Sequence, residues 1–218
     1  EPIPGMPSLY LNNEDEADTL EILTEDAVTG VLVTLIYTVF NNHGVITRRV
    51  KVENKTDKPF YIDTVHSACI DFPGMDYEMI DLYGRWGKER SLERRPLAHG
   101  RQLVSSKRGS SSHHQNPFAA IVDKGATEDY GNAYGFNFVY SGNFIFEAEV
   151  NQFAGTRVIM GINPEGFGWT LEPDAAFDSP EVVMVYTPDG IGEMSRIFHR
   201  LYRKHLTRGK WKNIKRPL

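Results

Sequence analysis

From Thr19 onward, apolar and polar positions alternate in short blocks, TLEILTED, VLVTLIYTVF, VITRRVKVEN and FYIDTVHSACIDF, each rich in Val, Ile, Thr, Tyr and Phe. Runs of this kind read as strands. Asn42-His43-Gly44 and Asn54-Lys55-Thr56-Asp57-Lys58-Pro59 separate them with residues that tolerate left-handed or fixed φ, so neighbouring strands are expected to pair as antiparallel hairpins. In VLVTLIYTVF both faces are largely apolar, which predicts a strand covered on both sides. VITRRVKVEN sets Ile46, Arg48, Val50 and Val52 against Thr47, Arg49, Lys51 and Glu53, which predicts one face toward solvent or a partner and suits an outer layer. The second half continues with FAAIVDK, AYGFNFVYSG, NFIFEAEVNQF, TRVIMGIN and EVVMVYT, joined by loops containing Gly, Asn and Pro, with no fixed-period repeat. Helical spacing is confined to Ile191–Thr207, where Ile191, Met194, Phe198, Leu201, Tyr202 and His205 fall at steps of three and four. So many strands are expected to form two packed antiparallel sheets with one helix stripe laid against them.

A different texture interrupts this pattern from Ile80 to Ala119, where aromatic, guanidinium, imidazole and amide groups crowd between apolar runs, as they do on a binding face. The chain of 218 residues, 40% hydrophobic and 24% charged, has no apolar run of membrane-spanning length, so a globular chain that does not enter membranes is expected. It opens Glu-Pro-Ile-Pro-Gly without an initiator Met or a signal-peptide pattern and closes on a proline-marked basic stretch. These ends are read as those of an internal piece of a longer protein. The lone Cys69 lies in an apolar run and is expected to be a small buried thiol, in a reducing, cytoplasmic setting. Residues 196–218 hold nine Lys or Arg and no acid, leaving 15 basic against 29 acidic residues elsewhere, net −14. Nucleic-acid binding would need those cations interleaved with exposed aromatics, whereas Phe198, Tyr202 and Trp211 fall on a pattern that buries them. The cations instead complement a helix C-terminus or an acidic neighbour.

Trp86 sits in Tyr83-Gly84-Arg85-Trp86-Gly87. Two glycines can bring the indole to a surface, where its flat face suits the C–H face of a sugar and Arg85 suits its hydroxyls; alternatively the indole fills a corner of the core. Two adjacent imidazoles, His113 and His114, cannot both point at one metal from an extended strand and have no Cys, Asp or Glu at ligand spacing, so no metal site is expected. Ser110, Ser111 and Ser112 beside them lack the oriented base of a nucleophilic triad. The acidic cluster Glu14-Asp15-Glu16-Ala17-Asp18 reads as a solvated turn, and neither it nor Asp76-Tyr77-Glu78 makes a catalytic pair. The sequon Asn54-Lys55-Thr56 carries little weight, since nothing else points to secretion.

Several longer motifs occur in a recognisable order: Gly84-Arg85-Trp86, Glu93-Arg94-Arg95-Pro96-Leu97, Arg108-Gly109-Ser110-Ser111-Ser112-His113, Asn116-Pro117-Phe118, Tyr140-Ser141-Gly142-Asn143 and Phe198-His199-Arg200-Leu201-Tyr202. With INPEGFGWTLEP these make nearly the whole chain resemble the N-terminal β-domain of bacterial, melibiase-type α-galactosidases of glycoside hydrolase family 36. The resemblance implies a β-supersandwich of the galactose-mutarotase-like kind, all-β, with mostly antiparallel strands and one C-terminal helix. It implies one domain over residues 1–218, followed by a catalytic barrel.

The resemblance also places both catalytic carboxylates in that barrel, because the family's Lys-Trp-Asp-type strand motif is absent here. The fragment alone is expected not to hydrolyse anything. Trp86, with Arg85, is implied to form a wall of the galactose pocket. His114 is a further substrate-binding candidate, although the two histidines could instead form a polar network against the barrel. His199, Arg200 and Tyr202 are assigned structural roles. The complete enzyme would release terminal α-galactose from melibiose- or raffinose-type sugars, without a cofactor, as a homo-oligomer. Two other readings are a non-catalytic sugar-binding or assembly module and a mutarotase-type epimerase, which would need a glutamate base opposite His113 or His114.

Overall fold

A computed structural model describes Ile3 and residues 5–215, apart from the side chain of Trp211. The expectation that Trp211 is buried and the terminal Arg216-Pro217-Leu218 therefore lie outside the described residues. The first strands are β1 (Ala17–Glu25), β2 (Val31–Phe40), β3 (Val45–Asn54), β4 (Phe60–Ile62) and β5 (His66–Phe72). They are followed by β6 (Tyr77–Arg85), β7 (Lys88–Pro96), β8 (Gly100–Ser106), β9 (Gln115–Asp123) and β10 (Ala133–Phe138). The last are β11 (Phe144–Val150), β12 (Thr156–Ile162), β13 (Trp169–Leu171), β14 (Ala176–Asp178) and β15 (Val182–Thr187), and one helix, α1, spans Gly190–His205.

A large antiparallel sheet runs β1-β2-β3-β15-β10-β9-β6-β7, with β14 also pairing to β3. A smaller sheet, β11-β12-β5, packs against one face, β8 runs alongside β11, and β4 pairs with β13. Strand periodicity divides the core between the two faces of the large sheet. Met79, Ala119, Ile121, Phe136, Phe138 and Val182 point toward the small sheet, where Phe144, Phe146 and Met160 meet them. Their neighbours Ile80, Ala120, Val122, Ala133, Val183 and Val185 point the other way, onto Met194, Ile197, Phe198 and Leu201 of α1. The central strands are thus covered on both sides, as their continuous apolar runs require.

The helix approaches closely because β10 carries Gly135: a Cβ there would lie 2.5 Å from Phe198 Cε2 and 2.7 Å from Met194 Sδ. Its first amides find acceptors in the loop between β9 and β10, Gly190 N–H on Gly131 O, Ile191 N–H on Thr127 O and Gly192 N–H on Glu128 O. That supplies the partners a helix N-terminus lacks internally. At the other end Arg203, Lys204 and His205 complement the helix dipole. An N-terminal strap crosses there, with Tyr10 N–H donating to His205 O at 2.9 Å and Leu9 N–H to Glu181 Oε2 at 2.8 Å.

Three expectations are corrected. The facing expected of β3 holds from Arg48 on, where Arg48, Val50 and Val52 are buried and Arg49, Lys51 and Glu53 half-buried, but is reversed near its start, where Thr47 is buried and Ile46 is 41% exposed. Arg48 is accommodated by donating to Cys69 O at 3.2 Å and lying 5.2 Å over the Tyr37 ring. Cys69 itself is exposed, because β5 is the edge of the small sheet and its apolar run splits at Asp63–Val65. The strand β2 is covered on both sides only in part: Ile36 and Phe40 are buried, but Val39 is exposed beside the free β1 edge.

Candidate functional site

The polar stretch Ile80–Ala119 folds as the β6–β7 hairpin, β8 and a loop leading into β9. Near the hairpin tip the register shifts between Tyr83 and Arg85. Gly84 is required there, since a Cβ would meet Lys88 O at 2.4 Å, and Arg90 opposite adopts φ 56°. Glu89 Oε1 accepts the Gly87 N–H at 2.8 Å, which holds its carboxyl below the usual range and closes the turn. Trp86 projects from this tip 87% exposed, so its indole is not a core side chain. Arg85 beside it is exposed, with no ion-pair or hydrogen-bond partner among the described residues.

The loop of His113 and His114 docks on the same hairpin, with Gly84 N–H donating to His114 O at 3.3 Å. The two imidazoles stack, centroids 4.9 Å apart, and His114 is exposed. Around them the serine run is pinned by Ser106 Oγ to Ser110 O (2.8 Å), Ser111 N–H to Ser141 O (2.7 Å) and Gly109 N–H to Asn143 Oδ1 (2.7 Å). A small polar cavity of about 80 Å³ opens between Arg108, Ser112 and His114. Trp86, Arg85 and His114 therefore share one end of the sandwich, an aromatic plate flanked by hydrogen-bonding groups.

Glu89 lies within electrostatic reach of His113 but is exposed and tied to the turn. Two carboxyls that sequence reading passed over are pushed up by burial, Asp81 on β6 and Glu181 before β15, but β9 and β10 separate their strands. Asp81, 3% exposed, keeps one oxygen on Arg95 Nη2 at 2.7 Å while Oδ1 has no partner. Alternation along β6 marks it as inward-facing, the only sequence signal of its burial.

Elsewhere Glu16 departs from the solvated turn expected of its cluster. It is buried, accepts Asn12 and Asn13 amides and pairs with Lys204 at 2.7 Å, which brings its pKa down to about 2. Asn54 of the sequon is also buried, its amide donating to Lys58 O and Leu171 O, so the folded chain offers no acceptor to a glycan. Among the described residues no three His, Cys, Asp or Glu side chains cluster as metal ligands. No helix is long and apolar enough to cross a membrane. Tyr202 serves the helix–sheet contact, donating to Asn137 Oδ1 at 2.5 Å, and Arg200 pairs with Glu193 on the helix surface. A cavity of about 560 Å³ lies between α1 and β6, β7 and β9, and Trp86 is not among its lining residues.

Fold and exposed aromatic end together define a large antiparallel β-sandwich domain with a single helix laid against it. The chain belongs to glycosyl hydrolase family 36: the model of that family's N-terminal domain matches residues 1–172, and the melibiase model matches residues 176–218. It is similar to alpha-galactosidase AgaA of Geobacillus stearothermophilus, 50% identical over 98% of this chain and 29% of that protein. Probable alpha-galactosidase C of Aspergillus terreus is 39% identical over 99% of this chain and 29% of its own length. The crystal structure of AgaA superposes with TM-score 0.98 at 49% identity, covering 100% of this chain and 30% of that one. The alpha-galactosidase from Lactobacillus brevis gives TM-score 0.97 at 36% identity, covering 100% of this chain and 29% of that one. Variants of AgaA have been crystallised with raffinose and with stachyose. This chain thus spans less than a third of the relatives it matches.

Proposed function

We propose that this chain is the N-terminal β-domain of a retaining α-galactosidase acting on raffinose- or melibiose-type sugars, and that it lends the sugar pocket one wall through Trp86, Arg85 and His114. The observation that carries this is Trp86, an exposed indole held at a glycine-flanked hairpin tip beside an unpartnered guanidinium. An apolar plate left in water at such a tip is stabilised when a sugar's C–H face covers it. The chemistry belongs to the remaining polypeptide: one carboxylate attacks the anomeric carbon while a second protonates the departing oxygen, and the second then activates water to release galactose.

Residues 1–218 act as one unit in this reading. The boundary between the two family models falls just before β14, yet β14 and β15 pair with β3 inside the same sheet. The protein works in the bacterial cytoplasm as a homo-oligomer, a reading that leans on the resemblance and on the absence of a second cysteine in this chain.

Trp86→Ala in the complete polypeptide tests the wall. Covering about 80 Å² of indole at ~25 cal/mol/Å² is worth about 2 kcal/mol. The expected result is a loss of roughly 30-fold in kcat/KM for raffinose; unchanged kinetics would remove Trp86 from the pocket.

A further inference from the structure

We propose that Glu89 is a positioning residue for the sugar pocket, locking the β6–β7 tip so that the Trp86 indole stands in one place. The inference rests on the function proposed above. Trp86 is 87% exposed, so little of this domain packs on its ring and its position is set by the backbone of the tip.

The turn alone does not hold that backbone. Arg85 pairs with Lys88, which leaves Trp86 and Gly87 as a two-residue loop. Such loops match the twist of their strands when the first residue has positive φ, as in types I′ and II′. Here Gly87 has φ 73° while Trp86 does not adopt positive φ, the pattern of a type II turn, which splays the strands it joins. The register shift between Tyr83 and Arg85 also interrupts the ladder just before the tip, and β7, mostly exposed, ends the sheet.

Glu89 supplies the missing hold. Its Oε1 accepts the Gly87 N–H at 2.8 Å. That N–H belongs to the planar peptide that follows Trp86, so the bond fixes the plane from which the indole rises. The Gly87 N–H, Glu89's own N–H and nearby His113 keep the carboxyl below the usual range, so it accepts as an anion at neutral pH, and charged acceptors make the stronger bonds. Among the described residues no Lys or Arg pairs with Glu89, which leaves the carboxylate committed to the turn. Glu89 is itself anchored: its Cα would lie 2.8 Å from a Cβ at Gly84, so the two backbones touch, and the Gly84 N–H donates to His114 O at 3.3 Å. A chain of contacts thus runs from the His113–His114 loop through Gly84 and Glu89 to the peptide after Trp86. Glu89 acts on the sugar through Trp86 and does not touch it.

The test is a double-mutant cycle in the complete polypeptide, read as kcat/KM for raffinose and as hydrogen exchange of the peptide covering residues 83–91, followed from milliseconds. Glu89 is exposed, so its replacement leaves the core intact. Glu89→Ala is expected to lower kcat/KM roughly tenfold and to speed exchange of that peptide several-fold. Glu89→Gln keeps an acceptor for Gly87 and should stay within about threefold of the parent on both readouts. In a Trp86→Ala background Glu89→Ala should cost less than about twofold more. A full loss in that background would overturn the proposal, because Glu89 would then meet the sugar itself. So would parent-like exchange in Glu89→Ala, or a Glu89→Gln as impaired as Glu89→Ala. Unchanged kinetics in Trp86→Ala alone would count against the proposed function, and the exchange data would then decide the lock by themselves.

Discussion

Replacing Phe198 by Ala probes the contact that joins the helix to the sheet. Its ring is 5% exposed, packs edge-on to Phe118 with centroids 5.8 Å apart, and occupies the space that Gly135 leaves open. Phe→Ala in a core costs about 3–5 kcal/mol, more where the hole cannot collapse or fill. Phe198 borders the open groove, which water can enter, so the lower end, about 3 kcal/mol, is expected. Phe146, fully buried and 5.6 Å from Phe136, lies in the sealed half of the core and should cost more, about 4–5 kcal/mol. Urea titration of both variants with a common slope gives the two values. For a chain of this size the Phe198→Ala loss lowers Tm by roughly 6–12 °C. Gly135→Ala should be damaging alone and much less so on top of Phe198→Ala, with a coupling of about 1–3 kcal/mol. A Phe198→Ala cost below about 1 kcal/mol, or one above that of Phe146→Ala, would refute the packing described.

Acid should loosen the N-terminal strap. His205 donates from Nδ1 to Tyr10 O at 2.9 Å, leaving Nε2 buried without a partner, and His43 stands 5.3 Å away with its own Nε2 equally bare. Burial pushes both below the usual imidazole range, and Lys204 and Arg200 add to this at His43 and Lys204 and Lys212 at His205, against Glu16. The unfolded chain then takes up protons first, so stability should begin to fall as pH drops through about 6.5. His43→Phe should blunt that fall in thermal melts; an unchanged profile would clear this histidine. Glu16, held near 2 against an ordinary 4.5, stabilises above pH 4.5 and loses its contribution as pH falls toward 2, so Glu16→Gln should flatten that lower window. Cys69 should react with a small disulfide reagent in the native chain nearly as fast as in the unfolded one; slow reaction would contradict its exposure on β5.

The strands and the helix were legible as elements, because the strands are short blocks rich in β-branched and aromatic residues and α1 repeats apolar residues at three and four. Environments set by distant neighbours were not. Arg48 looks like a solvent residue until Cys69 O and the Tyr37 ring, brought in from other strands, accept it. Lys88–Pro96 shows no apolar alternation because β7 is an edge strand that has little to bury. The three-residue strands β13 and β14 are too short to show any period. At the site, the glycines around Trp86 allowed either an exposed tip or a filled core corner, and the structure exposes the indole. Alternation along β6 hints at the burial of Asp81, whereas the groove beside α1 depends on how β6, β7 and α1 are brought together.

The central claim is that this domain supports hydrolysis without performing it. Release of p-nitrophenol from its α-galactoside, measured side by side for residues 1–218 and for a polypeptide continuing through the melibiase part, tests it most directly. Activity confined to the longer polypeptide is the expected result. Turnover by residues 1–218 alone would contradict the account and would place a working carboxylate pair within this sandwich.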